Sequence, residues 1–170
     1  SLDAEYVSKA RRLRRERRLR QLDIPADQVT ISEDVLGRGG FGTVYVADYN
    51  GRNAAAKVMR RDLAQKQKSQ RRSFVLELEA MRRLCSPHTV QVYGAVMSLT
   101  DQFILVMELL PGGDLRTLLK RATEPLQEIR VRQIVGEICA GVAFLHSKST
   151  VHGDLKSANV LFDGAGHAKV

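Results

Sequence analysis

Alternating apolar and polar positions in the first half of the chain predict β-strands. On both sides of the glycine-rich segment Gly37–Gly42, β-branched and aromatic residues alternate with polar ones, which indicates a β-hairpin. Asn50-Gly51 is a strong signal for a two-residue turn, so another strand is expected directly after it. The predicted strands cover residues 29–36, 43–48, 52–59, 90–96 and 102–108. The first half is therefore expected to be small and rich in β-structure.

Apolar positions that recur every three or four residues predict helices elsewhere. One amphipathic helix, ended by Ser86-Pro87, is indicated by Phe74, Leu78, Met81 and Leu84 or Cys85. After the break at Pro111-Gly112-Gly113, Asp114 is a suitable N-cap for a short helix over residues 115–121.

A long, buried helix ending near His146 is predicted next, followed by a loop, a turn and two short strands over residues 151–170. The apolar positions of this helix are Val131, Ile134, Val135, Ile138, Val142 and Leu145. Together the elements predict an α+β fold. It has a β-rich half with one helix, a glycine-containing linker, and a helical half that stops early.

The composition is that of a globular protein, with 44% apolar and 27% charged residues. The longest uncharged apolar run, Phe103–Met107, is far shorter than the roughly 18 residues that a membrane span needs, and no signal peptide is visible. Cys85 and Cys139 lie far apart and lack metal-ligand spacing, so we expect reduced, partly buried thiols.

Positive charge is concentrated in the first 22 residues, an Arg-rich leader with too few apolar positions for a strong amphipathic face. Eight basic residues against three acidic ones give this leader a net charge of +5, out of +8 for the chain. The charge therefore does not mark the whole chain as a nucleic-acid binder. Three alternatives remain open for the leader: a solvated linker helix, a juxtamembrane stretch, or a segment that binds nucleic acid or calmodulin. A juxtamembrane stretch would bring residues 9–20 to an anionic membrane surface.

Gly37, Gly39 and Gly42 fit the pattern G-x-G-x-x-G-x-V, which ends at Val44. Glycine lets backbone N–H groups close over phosphate oxygens, because no side chain keeps them apart. The pattern alone is weak, since the turn of a glycine-rich hairpin would look the same. Its position between two predicted strands, rather than between a strand and a helix, argues against a dinucleotide site of the Rossmann type.

Lys57 follows three alanines on the predicted third strand, fifteen residues after Gly42. A lysine among small residues is costly to bury unless it is paired. Glu77 lies on the apolar face of the predicted helix and is the natural partner, whereas Glu79 lies off that face. A Lys57–Glu77 pair would aim the ammonium group at phosphate oxygens.

Asp154, Lys156 and Asn159 stand close together in the loop after the long helix. A phosphotransferase needs a carboxylate to orient and deprotonate a hydroxyl. It also needs a cation at the moving phosphoryl group and an amide oxygen on a metal ion. One short loop supplies all three groups.

From about Ile31 to Val170, these three motifs, in this order and at this spacing, resemble the eukaryotic protein kinase family. The resemblance implies a bilobal fold, with a five-stranded antiparallel N-lobe that carries one helix and an incomplete, mainly helical C-lobe. It also implies ATP and Mg²⁺ as cofactors, and a protein serine or threonine hydroxyl as phosphoryl acceptor. The implied domains are a leader over 1–24, the N-lobe and hinge over 25–110, and a partial C-lobe over 111–170.

The resemblance also implies roles for single residues. Asp154 matches the catalytic base and Lys156 the lysine at the γ-phosphate. Lys57 matches the lysine that contacts the α- and β-phosphates, with Glu77 as its helix partner. Asn159 matches a magnesium ligand.

Further positions match the residues that surround the nucleotide in the family. Met107 falls at the gatekeeper position, and Glu108 and Leu110 fall on the hinge, where backbone groups bind adenine. The residues implied to bind the cofactor are Leu36, Gly37, Gly39, Gly42, Val44, Ala55, Lys57, Met107, Glu108, Leu110, Asn159 and Leu161.

Two details refine the resemblance. Lys156 is similar to the serine/threonine-specific pattern, and Leu155–Asn159 together with Tyr93-Gly94 resemble the tyrosine-kinase-like group. Gly153 stands where the family usually has an arginine that pairs with a phosphate on the activation loop, so activation through that contact is not expected.

Val170 stands where the family would place one more residue and then Asp-Phe-Gly, whose aspartate holds magnesium. Loss of such a ligand should cost several kcal/mol of transition-state stabilisation, so we expect the 170-residue chain to be inactive or nearly so. The helix over residues 131–145 is expected to expose an apolar patch. Measurable phosphotransfer by the purified chain would contradict the first expectation.

Two other functions are left open. A nucleotide-binding pseudokinase or regulatory binding module is the main alternative, although such proteins usually lose at least one of Lys57, Glu77, Asp154 and Asn159, and all four are present. The other is an Arg-rich membrane or nucleic-acid adaptor with a degenerate kinase remnant. No specific nucleic acid is expected, and the expected location is the cytoplasm, or the cytoplasmic side of a membrane if a membrane span precedes Ser1.

Overall fold

A five-stranded sheet forms the first part of the computed structural model, which describes residues 7, 21–39, 42–60, 78–98 and 102–170. The strand order is β1-β2-β3-β5-β4, and the pairs β1–β2, β2–β3 and β4–β5 are antiparallel. The strands are β1 (Val29–Gly39), β2 (Gly42–Tyr49), β3 (Arg52–Arg60), β4 (Val92–Val96) and β5 (Gln102–Glu108). The predicted antiparallel five-stranded sheet is confirmed, and β1 continues into the glycine-rich segment.

The turn between β2 and β3 forms as the sequence predicts. Asn50 and Gly51 both have positive φ angles, of 52° and 78°, which a tight two-residue hairpin turn requires. The carboxylate of Asp48 accepts a hydrogen bond of 2.8 Å from the backbone N–H of Gly51 and so supports the turn. This fixes the register that pairs Val44 with Lys57.

The chain divides into two units, the first made of residues 1–82 and 92–107 and the second of residues 83–91 and 108–170. The predicted domain boundaries at residues 24 and 110 stay a prediction. Leu22 and Ile24, at the end of the predicted leader, are nevertheless buried in the first unit, with 4% and 5% of their surface exposed.

The sheet of the first unit has an apolar cluster on each face, because side chains of a strand alternate between the two faces. The helix-side cluster consists of Leu22, Leu78, Val92, Ala95, Met97 and Leu105, with Met59, Met81, Phe103 and Met107 packed against it. The outer cluster consists of Ile24, Ala47, Ala54, Ala56, Val96, Ile104 and Val106. Residues 78–83 are helical and contribute Leu78 to the first cluster. Phe74 and Glu77, on the predicted helix, lie outside the described residues.

Two helices and a short hairpin form the second unit: α1 (Leu115–Arg121), α2 (Glu128–Ser147), β6 (Leu161–Phe162) and β7 (Ala168–Lys169). The carboxylate of Asp114 accepts a hydrogen bond of 2.8 Å from Thr117 N–H, so the predicted N-cap of α1 is confirmed. The predicted long helix and the two short strands after it are also confirmed.

The core of the second unit lies between α2 and the β6–β7 hairpin. It consists of Ile134, Leu145, Val160, Phe162, Ala168 and Val170. The prediction of a buried helix is wrong at Val131 and Val135, which are 41% and 51% exposed. Part of α2 therefore presents apolar surface to solvent, in agreement with the expectation that the helix over residues 131–145 exposes an apolar patch.

Cys85 and Cys139 are both free, but they are exposed rather than partly buried, so the prediction was wrong about their burial. No helix among the described residues is long and apolar enough to cross a membrane.

Candidate active site

The three motif glycines of the β1–β2 hairpin have different reasons to be glycine. Gly42 has φ +135°, and a Cβ there would lie 2.2 Å from the backbone oxygen of Val58, so the fold itself requires glycine. A Cβ at Gly37 or Gly39 would meet no described atom within 4 Å. Because the fold does not demand glycine at these two positions, their bare backbone is available for close approach by a ligand.

Lys57 lies on β3 opposite Val44 of β2 and is half-buried. Ala54, Ala56 and Val58 belong to the outer cluster, so alternation along the strand places Ala55, Lys57 and Met59 on the helix-side face. Ala55 is buried, and Val44 is half-buried. The predicted pairing of Lys57 with Glu77 lies outside the described residues.

Asp154, Lys156 and Asn159 are brought together in the loop that follows α2. Lys156 Nζ lies 2.9 Å and 2.7 Å from the two carboxylate oxygens of Asp154. Asn159 Nδ2 donates to the backbone oxygen of Asp154 at 2.7 Å and to its Oδ2 at 2.9 Å. A short 3-10 helix, Ser157–Asn159, turns the chain back so that the amide can reach the aspartate. The three groups thus form one hydrogen-bonded cluster.

The hydrogen bonds in this cluster hold the pKa of Asp154 below its usual value. The hydrogen bond from Lys156 is the largest cause, followed by that from Asn159, because both favour the ionised carboxylate. The side chain of Asp154 is 63% exposed, so a substrate hydroxyl could reach it from solvent. Asp154 is therefore an ionised, accessible acceptor at neutral pH.

The backbone before Asp154 is arranged by Gly153 and His152. Gly153 has φ +76°, a conformation that favours glycine, and a Cβ there would meet no described atom. The backbone N–H of Asp154 donates to His152 Nδ1 at 3.3 Å, so this ring nitrogen is the acceptor. His152 therefore has a structural hydrogen-bonding role here.

Glu108, at the end of β5, is fixed through both its backbone and its side chain. Its backbone N–H donates to the oxygen of Gln91 at 2.9 Å, and its carboxylate accepts from Gln91 N–H at 2.7 Å. Lys169 Nζ lies 2.8 Å and 2.7 Å from the two oxygens of the same carboxylate. The Lys169–Glu108 pair is mostly buried, with side-chain exposures of 14% and 18%. The segment that contains Glu108 is therefore held firmly within the second unit.

Leu110, two residues after Glu108, has a backbone N–H that is available to a ligand. Leu110 is buried, yet its backbone N–H has no hydrogen-bond acceptor in the part of the chain that the structure describes. A nucleotide base with an acceptor nitrogen would satisfy this group, so the residue fits the adenine contact that the sequence predicts.

The metal ligand predicted at Asn159 also fits the chemistry of its surroundings. The amide nitrogen of Asn159 is used twice by Asp154, while no described residue donates to the amide oxygen. Mg²⁺ prefers oxygen ligands. Among the described residues no group of three or more His, Cys, Asp or Glu side chains could hold a metal ion, so any magnesium would need phosphate or water oxygens as well.

The predicted site residues fall into the two units as follows. In the first unit, Leu36 is exposed and Met107 is half-buried beside the helix-side cluster. In the second unit, Leu161 is half-buried on β6. The predicted residues of the first unit are Leu36, Gly37, Gly39, Gly42, Val44, Ala55, Lys57 and Met107, and those of the second are Glu108, Leu110, Asp154, Lys156, Asn159 and Leu161.

Sequence reasoning missed Gln91 and Lys169, which hold the Glu108 carboxylate. The only indication of this ion pair in the sequence was the position of Lys169 between Ala168 and Val170, which are small or apolar. Both neighbours are buried in the structure. A lysine so placed needs an acidic partner, but the pattern does not show that the partner is 61 residues away.

Comparison with known proteins identifies the family of the chain. The family model described as "Protein kinase domain" matches residues 31–170. The serine/threonine-protein kinase PkaB of Streptomyces coelicolor is 38% identical over 135 residues, which cover 79% of this chain and 32% of that protein. Kinase suppressor of Ras 2 of Homo sapiens is 33% identical over 145 residues, covering 85% of this chain and 15% of that protein. Mitogen-activated protein kinase kinase kinase 3 of Mus musculus is 34% identical over 140 residues, covering 80% of this chain and 22% of that protein. The chain thus spans less than a third of the length of these relatives.

Proposed function

Because this chain belongs to the protein kinase family, we propose that it supplies the nucleotide-binding and catalytic residues of an ATP-dependent serine/threonine kinase. Similarity to a relative named as a serine/threonine-protein kinase supports the kinase class predicted from the motifs, and the similarity to Kinase suppressor of Ras 2 agrees with the tyrosine-kinase-like group. The observation that carries the proposal is the cluster of Asp154, Lys156 and Asn159. In it, Lys156 and Asn159 both contact Asp154 at distances of 2.9 Å or less.

Asp154 acts on the acceptor hydroxyl in this proposal. Its Oδ2 accepts from both Lys156 and Asn159, whereas Oδ1 accepts from Lys156 alone and keeps room for a further donor. A serine or threonine hydroxyl would donate to Oδ1 and pass its proton to this carboxylate as its oxygen forms the new bond to the γ-phosphorus, while the bond from that phosphorus to the bridging oxygen breaks and ADP leaves. The lowered pKa of Asp154 makes the carboxylate a weak base, so its first role is to orient the hydroxyl.

Lys156 and Lys57 provide positive charge where negative charge develops. Lys156 already lies beside the carboxylate that would hold the hydroxyl, so its ammonium group would also lie close to the phosphoryl group that moves. Lys57, on the helix-side face of β3, would contact phosphate oxygens nearer the adenosine.

The backbone contributes the remaining nucleotide contacts. At Gly37 and Gly39 no side chain would hinder the approach of a phosphate to the backbone, and Leu110 offers an N–H without a described acceptor. The residues present therefore fit ATP, with Asn159 Oδ1 as a ligand for Mg²⁺. When bound, ATP with Mg²⁺ supplies the phosphoryl group and neutralises part of its charge.

A nucleotide-binding pseudokinase or regulatory binding module is the alternative. It is less well supported, because Lys57, Asp154 and Asn159 are all present and the last two are assembled in one hydrogen-bonded cluster. A binding module would have no need to hold the carboxylate ionised and accessible.

The partner proposed for this site is a protein with an exposed serine or threonine. Contact of residues 9–20 with an anionic membrane surface, and a location in the cytoplasm or at its membrane face, are further proposals that rest on the charge of the leader alone. No specific nucleic acid is proposed as a partner.

The test is phosphoryl transfer by the intact protein from labelled ATP to a protein substrate that offers serine, threonine and tyrosine. We expect phosphoserine or phosphothreonine, and a loss of rate of about 10³-fold in Asp154→Asn, which keeps the shape of the side chain but removes the base. The control is Asp27→Asn, an exposed aspartate far from the loop in sequence. Transfer that survives Asp154→Asn unchanged, or that yields phosphotyrosine alone, would contradict the proposal.

A further inference from the structure

Residues 21–24, which we call the strap, lie along the edge of the sheet at β4. The backbone N–H of Ile24 donates to the oxygen of Ala95 at 2.9 Å, and Asp23 forms a parallel bridge with Ala95. The carboxylate of Asp23 accepts from the backbone N–H of Met97 at 3.0 Å. Because β4 is the last strand in the sheet order, the strap supplies partners for an edge that would otherwise lack them.

The strap also contacts the helical residues 78–83. Leu22 belongs to the same buried cluster as Leu78, which is 1% exposed, and Met81 packs against that cluster. The guanidinium of Arg82 donates to the backbone oxygen of Gln21. The strap therefore joins the edge of the sheet to this helical segment through an apolar contact and a polar one.

Lys57 lies on the same face of the sheet as this contact. Met59, two residues after Lys57 on β3, packs against the cluster that contains Leu22 and Leu78. Glu77, the predicted partner of Lys57, precedes Leu78 directly in the sequence. Whatever fixes Leu78 therefore fixes the first described residue of this helical segment against the face of the sheet that carries Lys57.

Gly94 on β4 shows that the sheet accommodates the strap closely. A Cβ at this position would lie 2.7 Å from the backbone oxygen of Leu22 and 3.0 Å from the side chain of Ile24. Glycine is thus needed at position 94 for the strap to lie where it does, and the strap lies outside residues 31–170, which match the family model.

From these contacts we infer that the strap is a positioning element, and that Leu22 positions the helical residues 78–83 against the Lys57 face of the sheet. The consequence for ATP rests on the proposed function. Leu22 is a positioning residue, because it acts through Leu78 and not by touching the nucleotide. Ile24, two residues away, provides a matched comparison because it is equally buried but belongs to the outer cluster, on the opposite face of the sheet.

The experiment compares Leu22→Ala with Ile24→Ala in the 170-residue chain by hydrogen exchange. Both variants remove a buried aliphatic side chain and should lower global stability to a similar extent. Only Leu22→Ala is expected to speed exchange at amides 78–83 by about tenfold or more relative to the amides of β2 and β3. Leu22→Met, which preserves volume, should restore most of the protection. Equal effects of the two alanine variants at residues 78–83 would overturn the inference.

Gly94→Ala keeps the inference testable if Leu22→Ala does not fold, since it displaces the strap without removing the Leu22 side chain. Gly94→Ala should also speed amide exchange selectively at residues 78–83. An equal increase in exchange rate at these residues and across the sheet would contradict the positioning role of the strap.

Titration with MgATP then separates this inference from the proposed function. We expect Leu22→Ala to raise the Kd about tenfold and Ile24→Ala to leave it within about twofold, after correction for the folded fraction. Absence of MgATP binding by the unaltered chain would contradict the proposed function. The hydrogen-exchange result would still test whether the strap positions residues 78–83. Binding that is equally strong in all variants would overturn the link between the strap and the nucleotide.

Discussion

The glycine-rich hairpin of the first unit and the Asp154 loop of the second differ in the kind of chemical group that each is proposed to contribute. In the hairpin the proposed phosphate contacts come from the backbone, and the sequence contributes by having no side chain at Gly37 and Gly39. In the loop the proposed catalytic groups are side chains, and Lys156 and Asn159, both within six residues, each contact Asp154. The hairpin thus depends on the absence of side chains, whereas the loop depends on a local hydrogen-bonded cluster of side chains.

This difference predicts how each region should respond to substitution. A backbone site tolerates most changes nearby but not an added methyl group where a ligand approaches. A side-chain cluster depends on each member, because removal of one leaves the others with unmet hydrogen bonds or altered charge. Single substitutions can therefore separate the two regions.

The largest effect is expected for Asn159→Ala. The substitution removes the two hydrogen bonds to Asp154 and the proposed magnesium ligand together, so phosphoryl transfer by the intact protein should fall by about 10³-fold. Asn53→Ala, at an exposed position of β3, is the matched control and should leave the rate unchanged. A loss of less than about threefold would mean that the cluster does not act as a unit.

Alanine substitutions at Gly42 and Gly37 should affect different quantities: the first mainly the free energy of unfolding, the second mainly the Kd for MgATP. Gly42→Ala places a Cβ against the backbone oxygen of Val58 and should cost more than about 2 kcal/mol of unfolding free energy. Gly37→Ala meets no described atom, so stability should change by less than about 1 kcal/mol while the Kd for MgATP rises about tenfold. Urea unfolding and isothermal titration measure the two quantities. If Gly37→Ala binds MgATP as tightly as the unaltered chain, the hairpin is not a phosphate site.

The smallest effect is expected for Lys156→Met on the titration of Asp154. Loss of the main hydrogen bond should let the pKa of Asp154 rise toward its usual value of 3.8, as followed by NMR of the carboxyl carbon. Because the folded-state pKa is lowered, the contribution of Asp154 to stability is present above the unfolded-state pKa and is lost as pH falls through the folded value. Lys156→Met should shrink this acid-dependent part, and Lys148→Met, another exposed lysine of the second unit, should not. An unchanged pKa in Lys156→Met would show that Asn159 alone sets the value.

Local signals in the sequence predicted the local parts of the structure. Asn50-Gly51 marked a turn whose two positive φ angles few other residues adopt easily, and Asp114 marked the start of α1 through its bond to Thr117 N–H. The spacing of Asp154, Lys156 and Asn159 likewise indicated a cluster, because residues so close in a short loop can reach one another.

Contacts between distant residues could not be predicted in this way. Leu22 and Ile24 looked like isolated apolar residues beside a charged leader, and their burial depends on Gly94, about seventy positions later. Lys169 gave no indication that its partner would be Glu108. The periodicity of α2 could not tell Ile134, which is buried, from Val135, which is exposed, since both are apolar positions of one helix. These features depend on what packs against the element, which a single sequence does not display.

The most direct test of nucleotide binding is hydrogen exchange of the 170-residue chain with and without MgATP. We expect saturable binding that slows exchange at the backbone amide of Leu110 and along the β1–β2 hairpin, and weaker protection in Lys57→Met. Failure of MgATP to protect either Leu110 or the hairpin at any concentration would contradict the claim that this kinase-family chain binds its nucleotide through these groups.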